Sequence, residues 1–241
     1  MANELRWGIL GAAKFAREHM GPAIHQTPYN RIAALATSHP DKAAPFLAMD
    51  SRITVFKDYD AMIHSDEIDA VYVPLPNHLH VEWAHKAAQA GKHVLCEKPI
   101  AMQADEIDDL IKLRDQQKVL IAEAFMIVHH PQWQYARELF QSGAIGNLVQ
   151  VDGVFSYDNR ADTANIRNRP ETGGGGIRDI GVYTFGSTRY VTGEDPIHIL
   201  STKIDRVNDV DTWANVTAQF PSFFFNGTTS MAMLPRQEMN F

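Results

Sequence analysis

The segment Leu5-Arg6-Trp7-Gly8-Ile9-Leu10-Gly11-Ala12-Ala13-Lys14-Phe15-Ala16 joins an apolar strand to the start of a helical pattern. Small residues stand at Gly11, Ala13 and Ala16, with the spacing of a G-x-G-x-x-G turn. In such a turn the first position allows a tight bend, the second lets backbone approach a pyrophosphate, and the third lets the helix pack on the strand. Alanine at the second position narrows that approach without blocking it. The segment predicts a dinucleotide-binding turn, with a ligand-free βα turn as the alternative.

The first half of the chain alternates strand-like and helical stretches. The apolar pattern predicts strands at residues 5–10, 31–37, 54–56, 70–74, 93–96 and 119–125. It predicts helices at residues 14–26, 40–49, 59–64, 78–90 and 104–117, with Pro22 bending or restarting the first. This alternation is typical of βαβ units, so residues 1–125 are expected to form a doubly wound parallel sheet with helices on both faces, a Rossmann domain.

Beyond residue 126 the pattern changes. A helix is predicted at residues 132–141, followed by long alternating runs at 148–157, 197–207, 213–220 and 228–234. Strands of that length with one polar face favour an antiparallel sheet. Residues 126–241 are therefore expected to form an α+β domain with a largely antiparallel sheet.

Composition restricts the classes of partner. The net charge of −7 argues against a nucleic-acid surface, which needs a basic patch. No apolar run approaches the roughly 18 residues of a membrane span, so no membrane partner is expected. Cys96 is the single cysteine, which excludes an internal disulfide and favours a cytoplasmic protein. The histidines, cysteines and carboxylates lack metal-ligand spacing, so no metal is expected.

Glu97-Lys98-Pro99 closes the apolar run at residues 93–96. A lysine at the carboxyl end of a buried parallel strand lies at the edge where ligands bind. Desolvation lowers the pKa of a lysine readily, so its amine can act as an acid or base near neutral pH. Lys98 is thus a candidate catalytic residue, and a solvated lysine is the alternative.

The second predicted strand ends without the acidic residue that usually binds the ribose 2′-hydroxyl of NAD. Ser38 can instead hydrogen-bond a 2′-phosphate, and His39 and Lys42 can add positive charge. The sequence favours NADP, with NAD as the alternative. The candidate cofactor-binding residues of this half are therefore Gly11, Ala12, Ala13, Phe15, Ala16, Ser38, His39 and Lys42.

Several further motifs lie in the same register as Glu97-Lys98-Pro99. They are Pro74-Leu75-Pro76-Asn77-His78-Leu79-His80, Ala90-Gly91-Lys92-His93, Glu123-Ala124-Phe125-Met126, His130-Pro131-Gln132, Asn165-Ile166-Arg167-Asn168 and the run from Gly173 to Tyr183. Together they resemble the glucose–fructose oxidoreductase/inositol dehydrogenase (Gfo/Idh/MocA-type) family, near the xylose and dihydrodiol dehydrogenases. The resemblance covers nearly the whole chain. It implies hydride transfer between NAD(P) and a carbon bearing a hydroxyl group in a sugar, cyclitol or dihydrodiol.

The resemblance also implies roles for residues. Lys98 would bind the substrate hydroxyl and move its proton, and Tyr183 stands where related enzymes have a proton-transferring histidine or tyrosine. Asp179, four residues earlier and on the same face of a helix, would orient the substrate or Lys98, and Arg167 would hold substrate or cofactor. The structural alternatives are that Tyr183 is a core residue and that Asp179 is the N-cap of the following helix.

Six residues near the ends of the fourth and fifth predicted strands are expected to contact the cofactor: Leu75, Pro76, Asn77, His80, Glu97 and Lys98. Capping of the following helix is the alternative for Asn77, His78 and His80. Many relatives have an arginine where this chain has Val128. Relatives also have a longer second domain, so the chain, which ends at Phe241, is expected to be truncated within its second sheet. A dimer or tetramer formed through that sheet is implied.

Two other functions remain open at this point. A sensor or regulatory protein on the same fold would bind NAD(P) without turning it over. A methyltransferase also uses a glycine-rich turn, but the pattern of the second half and Lys98 disfavour it.

Overall fold

A parallel six-stranded sheet is built around the first strand in the computed structural model of this protein, which describes residues 4–241. Its strands are β1 (Leu5–Leu10), β2 (Asn30–Ala36), β3 (Thr54–Phe56), β4 (Ala70–Val73), β5 (His93–Glu97) and β6 (Ile121–Ala124). Their order across the sheet is β3-β2-β1-β4-β5-β6. This is the doubly wound order of a Rossmann fold, in which the strand order reverses at β1 and β4. The predicted fold class of the first half is confirmed.

The connections between these strands are helical. The helices are α1 (Gly21–Gln26), α2 (Ala44–Met49), α3 (Tyr59–Ile63), α4 (His80–Gln89) and α5 (Asp105–Gln117). A π-helical turn, Ala16–Met20, leads into α1, and the N–H of Gly21 donates to the carbonyl of Ala16, five residues back. Pro22 explains this wider turn, because its ring cannot donate a hydrogen bond and would clash with a carbonyl of a regular α-helix.

Side chains of the sheet alternate between two apolar layers, one on each face. Ile9 and Tyr72 belong to one buried cluster, whereas Leu10, Val71 and Val73 belong to the other. Strands with both faces buried have nearly continuous apolar sequences, and this explains why β4 reads Ala-Val-Tyr-Val. Helices therefore cover both faces of the sheet and leave its edges to the loops.

The second compact unit, Phe125–Phe241, contains a five-stranded mixed sheet. Its helices and strands are α6 (Pro131–Gln141), β7 (Gln150–Asp158), α7 (Val182–Thr192), β8 (His198–Val207), β9 (Val210–Gln219), β10 (Phe224–Ser230) and β11 (Ala232–Asn240). The strand order is β11-β7-β10-β9-β8, and only β7 and β10 are parallel among these neighbours. The largely antiparallel sheet predicted for the second half is confirmed, with this one parallel pair in addition.

One predicted strand was wrong. The alternating run at residues 228–234 is divided at Met231 between β10 and β11, which pair with opposite sides of β7. Alternation continues through the break because it reports which face a side chain occupies and not which strand is the partner. The other predicted elements are present, with ends displaced by a few residues. None of the helices formed by residues 4–241 has the length and apolarity needed to traverse a bilayer.

Candidate active site

The turn after β1 has the geometry that its sequence predicts. Gly11 has a φ of +83°, and its N–H donates to the carbonyl of Ala36 at 2.8 Å. A Cβ at this position would lie 3.2 Å from both Leu75 and Tyr59, so a side chain would crowd the turn as well as strain its backbone. Ala16, at the third small position, is fully buried and packs the helix onto the sheet.

Polar side chains follow β2 at the same edge of the sheet. Ser38, His39 and Lys42 are all exposed, and the Ser38 hydroxyl lies 3.0 Å from Nδ1 of His39. The Thr37 hydroxyl accepts a hydrogen bond from the His39 N–H, which fixes the turn that leads out of the strand. Because carboxyl ends of parallel strands share one edge, these three polar groups lie on the side of the sheet that carries Gly11.

Lys98 follows β5 at this edge and is half-buried. The carboxylate of Glu97 accepts a 2.6 Å hydrogen bond from the hydroxyl of Tyr72 through one oxygen and the N–H of Lys98 through the other, at 3.3 Å. Tyr72 is fully buried on β4, and burial followed by the charge of Glu97 raises the pKa of its phenol. The phenol therefore stays protonated as a donor to Glu97.

His80 is buried, and both of its ring nitrogens face backbone carbonyls. Nδ1 lies 2.7 Å from the oxygen of Pro99, and Nε2 lies 2.7 Å from the oxygen of Leu75. The helix N-cap positions next to it are Pro76 and Leu79, whose side chains have no acceptor. Neither N-cap position is Asn77, His78 or His80, and capping by His80 is wrong because both of its ring nitrogens face carbonyls.

In the second unit Asp179 receives two donors. The hydroxyl of Tyr157 donates to Oδ2 of Asp179 at 2.7 Å, and Nε of Arg167 lies 2.9 Å from the same oxygen. Asp179 is 8% exposed, and it lies inside the helical turn Ile177–Gly181. The N-cap alternative for Asp179 was therefore wrong. Burial, followed by the charge of Asp179, raises the pKa of the Tyr157 phenol, which remains a donor.

Tyr183 lies in the first turn of α7 between two aromatic rings. Its ring centroid is 5.9 Å from that of Phe125 and 5.3 Å from that of Phe155. Phe155 and Tyr157 are two residues apart on β7, so they point to the same face of the strand. That face thus contacts both Tyr183 and Asp179.

The pKa of Arg167 is affected by two opposing influences. Desolvation lowers it, but the interactions with Asp179, Tyr157 and Tyr183 outweigh desolvation and raise it. The four side chains therefore form one electrostatic cluster.

The side chain of Asp211, on β9, binds the first residue of the helical turn Ile177–Gly181. Its Oδ2 accepts the N–H of Ile177 at 2.7 Å, and burial raises the pKa of its carboxyl group. Sequence reasoning missed Asp211, and it also missed Tyr157 and Tyr72. The period of two on β7 places Tyr157 beside Phe155, which was a usable signal. The long-range contacts of Asp211 and Tyr72 left no local signal.

Among residues 4–241, no three histidine, cysteine or acidic side chains are grouped so that they could hold a metal ion.

Two family profiles match the chain. Residues 5–125 match the profile described as an oxidoreductase family with an NAD-binding Rossmann fold, and residues 133–241 match the GFO/IDH/MocA C-terminal domain. The chain belongs to the GFO/IDH/MocA oxidoreductase family. This confirms the resemblance drawn from its motifs.

Two curated proteins and one solved structure are among those similar to this chain. A dTDP-3,4-didehydro-2,6-dideoxy-alpha-D-glucose 3-reductase from Saccharopolyspora spinosa is 39% identical over 79% of this chain and 57% of its own length. A D-xylose 1-dehydrogenase (NADP(+)) from Haloferax volcanii is 34% identical over 90% of this chain and 66% of its own. A 3-ketoreductase from Actinomadura kijaniata, in complex with NADP and TDP-benzene, has a TM-score of 0.92 at 29% identity and covers 98% of this chain and 73% of that one. The chain thus spans less than two thirds of the curated relatives' length.

Proposed function

We propose that this protein is an NADP-dependent oxidoreductase that transfers a hydride between nicotinamide and a carbinol carbon of a sugar. Cyclitols and dihydrodiols are the related substrates that its family resemblance allows. The observation that carries the proposal is the position of Lys98. It follows β5 at the carboxyl edge of the sheet, and only β4 separates β5 from the strand that ends in the Gly11 turn.

The residues present at this edge fit a dinucleotide. The tight turn at Gly11 and the helix that follows it offer backbone N–H groups to a pyrophosphate. The exposed side chains of Ser38, His39 and Lys42 suit the 2′-phosphate that distinguishes NADP from NAD. Leu75, Pro76 and Asn77 follow β4 at the switch point and would lie along the nicotinamide half. When bound, the nicotinamide supplies or accepts the hydride.

Four side chains are assigned to substrate binding and proton transfer. Lys98 would bind the substrate oxygen and exchange its proton, and Tyr183 would serve as the second proton-transfer group. Asp179, whose Oδ2 accepts the hydroxyl of Tyr157 and lies beside Nε of Arg167, would orient the substrate. Arg167 would contact the substrate or cofactor through the part of its guanidinium that does not face Asp179.

A sugar is favoured over other alcohols because the names of two relatives specify sugar substrates. One is a D-xylose dehydrogenase, and the other is a reductase of a nucleotide-linked deoxy sugar. Hydride transfer can run in either direction, so both must be assayed. NADPH formation should be followed with NADP⁺ and a panel of aldoses that includes D-xylose. NADPH oxidation should be followed with 3-keto nucleotide sugars.

Two variants test the roles. Lys98→Met and Tyr183→Phe remove the proton-transfer groups with little change in volume, so turnover should fall by about 10²–10⁴-fold. Binding of NADPH, followed by its fluorescence, should stay nearly unchanged. Lys112→Met on the exposed face of α5 and Tyr135→Phe on the exposed face of α6 are matched controls that should keep normal turnover.

Normal turnover in either Lys98→Met or Tyr183→Phe would overturn the assignment of that residue. Tight NADPH binding without turnover of any sugar, in the unaltered protein, would instead indicate a sensor or regulatory protein.

A further inference from the structure

The four residues Glu97–Ile100 are anchored by side chains from three different elements of the first unit. Tyr72 on β4 donates to the carboxylate of Glu97, which in turn accepts the N–H of Lys98. His80 on α4 lies 2.7 Å from the carbonyl of Pro99. These contacts reach the segment from one neighbouring strand and from the helix that follows it.

The third anchor comes from the other neighbouring strand. Oε1 of Glu123 on β6 accepts the N–H of Ile100 at 2.8 Å. β5 lies between β4 and β6, so the chain that leaves β5 is held from both sides. The carboxyl ends of strands usually continue into loops that are more mobile than the sheet. Here the backbone N–H of Lys98, the carbonyl of Pro99 and the N–H of Ile100 all have side-chain partners.

We propose that Tyr72, His80 and Glu123 are positioning residues for Lys98, which fix the backbone from which its ammonium projects. This inference rests on the proposed catalytic role of Lys98. A flexible lysine stem finds one productive position only when its backbone is fixed, and catalytic geometry tolerates displacements of about 0.5 Å. The buried ring of His80 acts here through the peptide of Pro99, a role different from the cofactor contact expected from its motif.

Two of the three anchors can be removed by substitutions that leave the fold in place. Tyr72→Phe deletes one buried hydroxyl and leaves the packing of the ring in place. Glu123→Ala removes an acceptor on an exposed edge strand, where the fold tolerates truncation, and Glu123→Gln restores an acceptor oxygen. Tyr29→Phe and Glu67→Ala alter exposed residues of the same unit and serve as matched controls.

Two measurements do not depend on activity. Amide hydrogen exchange of Ile100, followed by NMR, should be about tenfold or more faster in Glu123→Ala, because the amide has lost its charged acceptor. Exchange should be near normal in Glu123→Gln, because the glutamine side chain offers a polar acceptor in its place. Reductive methylation with ¹³C-formaldehyde labels the lysines, and the Lys98 signal is assigned by its absence in Lys98→Arg. That signal should shift or broaden in Tyr72→Phe and Glu123→Ala and stay in place in both controls.

Turnover provides the functional measurement. In Tyr72→Phe and Glu123→Ala, kcat should fall by about 10- to 100-fold, while KM for NADP⁺ stays within about twofold, since only the reacting amine is displaced. Glu123→Gln should recover most of kcat. A shift of the Lys98 signal without any loss in Lys98→Met turnover would refute the proposed function while leaving the anchoring intact. Unchanged Ile100 exchange together with an unchanged Lys98 signal in both anchor variants would refute the anchoring itself.

Discussion

The carboxylate of Asp211 occupies the space that a side chain on Gly175 would need. Gly175 has a φ of +126°, a conformation that is almost restricted to glycine. The same carboxylate accepts the N–H of Ile177, at the start of the helical segment that carries Asp179 and Tyr183. The glycine run therefore lets a strand residue anchor this segment.

Gly175→Ala is expected to lower the free energy of unfolding by more than the strained backbone alone requires. The backbone term is about 1–3 kcal/mol for an L-residue in this region, and displacement of Asp211 adds the loss of a charged hydrogen bond, about 1.5–3 kcal/mol. Urea unfolding measures the sum. Gly143→Ala is the matched control, since Gly143 has a φ of +74° and open space around the added Cβ. Equal losses in the two variants would show that Asp211 contributes nothing.

Tyr157→Phe should weaken both stability and turnover. The variant removes a donor from the nearly buried Asp179, which costs about 1–3 kcal/mol of unfolding free energy, and it loosens the carboxylate that also contacts Arg167. Urea unfolding and steady-state turnover check the two effects, with the exposed Tyr135→Phe as control. A Tyr157→Phe protein with normal stability and normal kcat would contradict the role given to this hydrogen bond.

Alkaline pH should destabilise the protein through its buried tyrosines. The pKa of Tyr72 is raised in the folded state, so the folded state keeps a proton that the unfolded chain releases above pH of about 10. The stabilising contribution of Tyr72 is thus complete below pH of about 10 and is lost as the pH rises, by up to about 1.4 kcal/mol per pH unit.

Urea unfolding of the unaltered protein and of Tyr72→Phe between about pH 9 and 11 tests this expectation. The stability advantage of the unaltered protein should shrink across that range. Tyr29→Phe, at an exposed position, should follow the unaltered protein at every pH. A constant difference between the unaltered protein and Tyr72→Phe would argue against the raised pKa.

Ser38→Asp should move cofactor preference from NADP toward NAD. A carboxylate at this exposed position repels the 2′-phosphate and can accept the ribose 2′-hydroxyl instead. The ratio of kcat/KM for NADP⁺ to that for NAD⁺ should fall by about tenfold or more, since tenfold corresponds to only 1.36 kcal/mol. Ser51→Asp adds the same charge at another exposed position and should leave the ratio unchanged. An unchanged ratio of kcat/KM in Ser38→Asp would indicate that the 2′-phosphate does not bind near Ser38.

The first unit was largely predictable because its signals are local. The alternation of apolar runs with helical patterns predicted the parallel sheet, and the small residues Gly11 and Ala16 indicated the turn after β1. The break at Met231 was not predictable, because β10 and β11 continue one alternating pattern while they pair with opposite sides of β7. The same limit hid Asp211, whose partner Ile177 is 34 residues away.

By itself the sequence determined the family, the Rossmann turn and the candidate residues Lys98, Asp179 and Tyr183, since short motifs and periodicity are local properties. Only the tertiary structure decided which side chains hold them. Tyr72, His80 and Glu123 meet the segment around Lys98 because β4, α4 and β6 surround the end of β5. Such contacts depend on strand order and helix packing, so they could not be read from the motifs that contain His80 and Glu123.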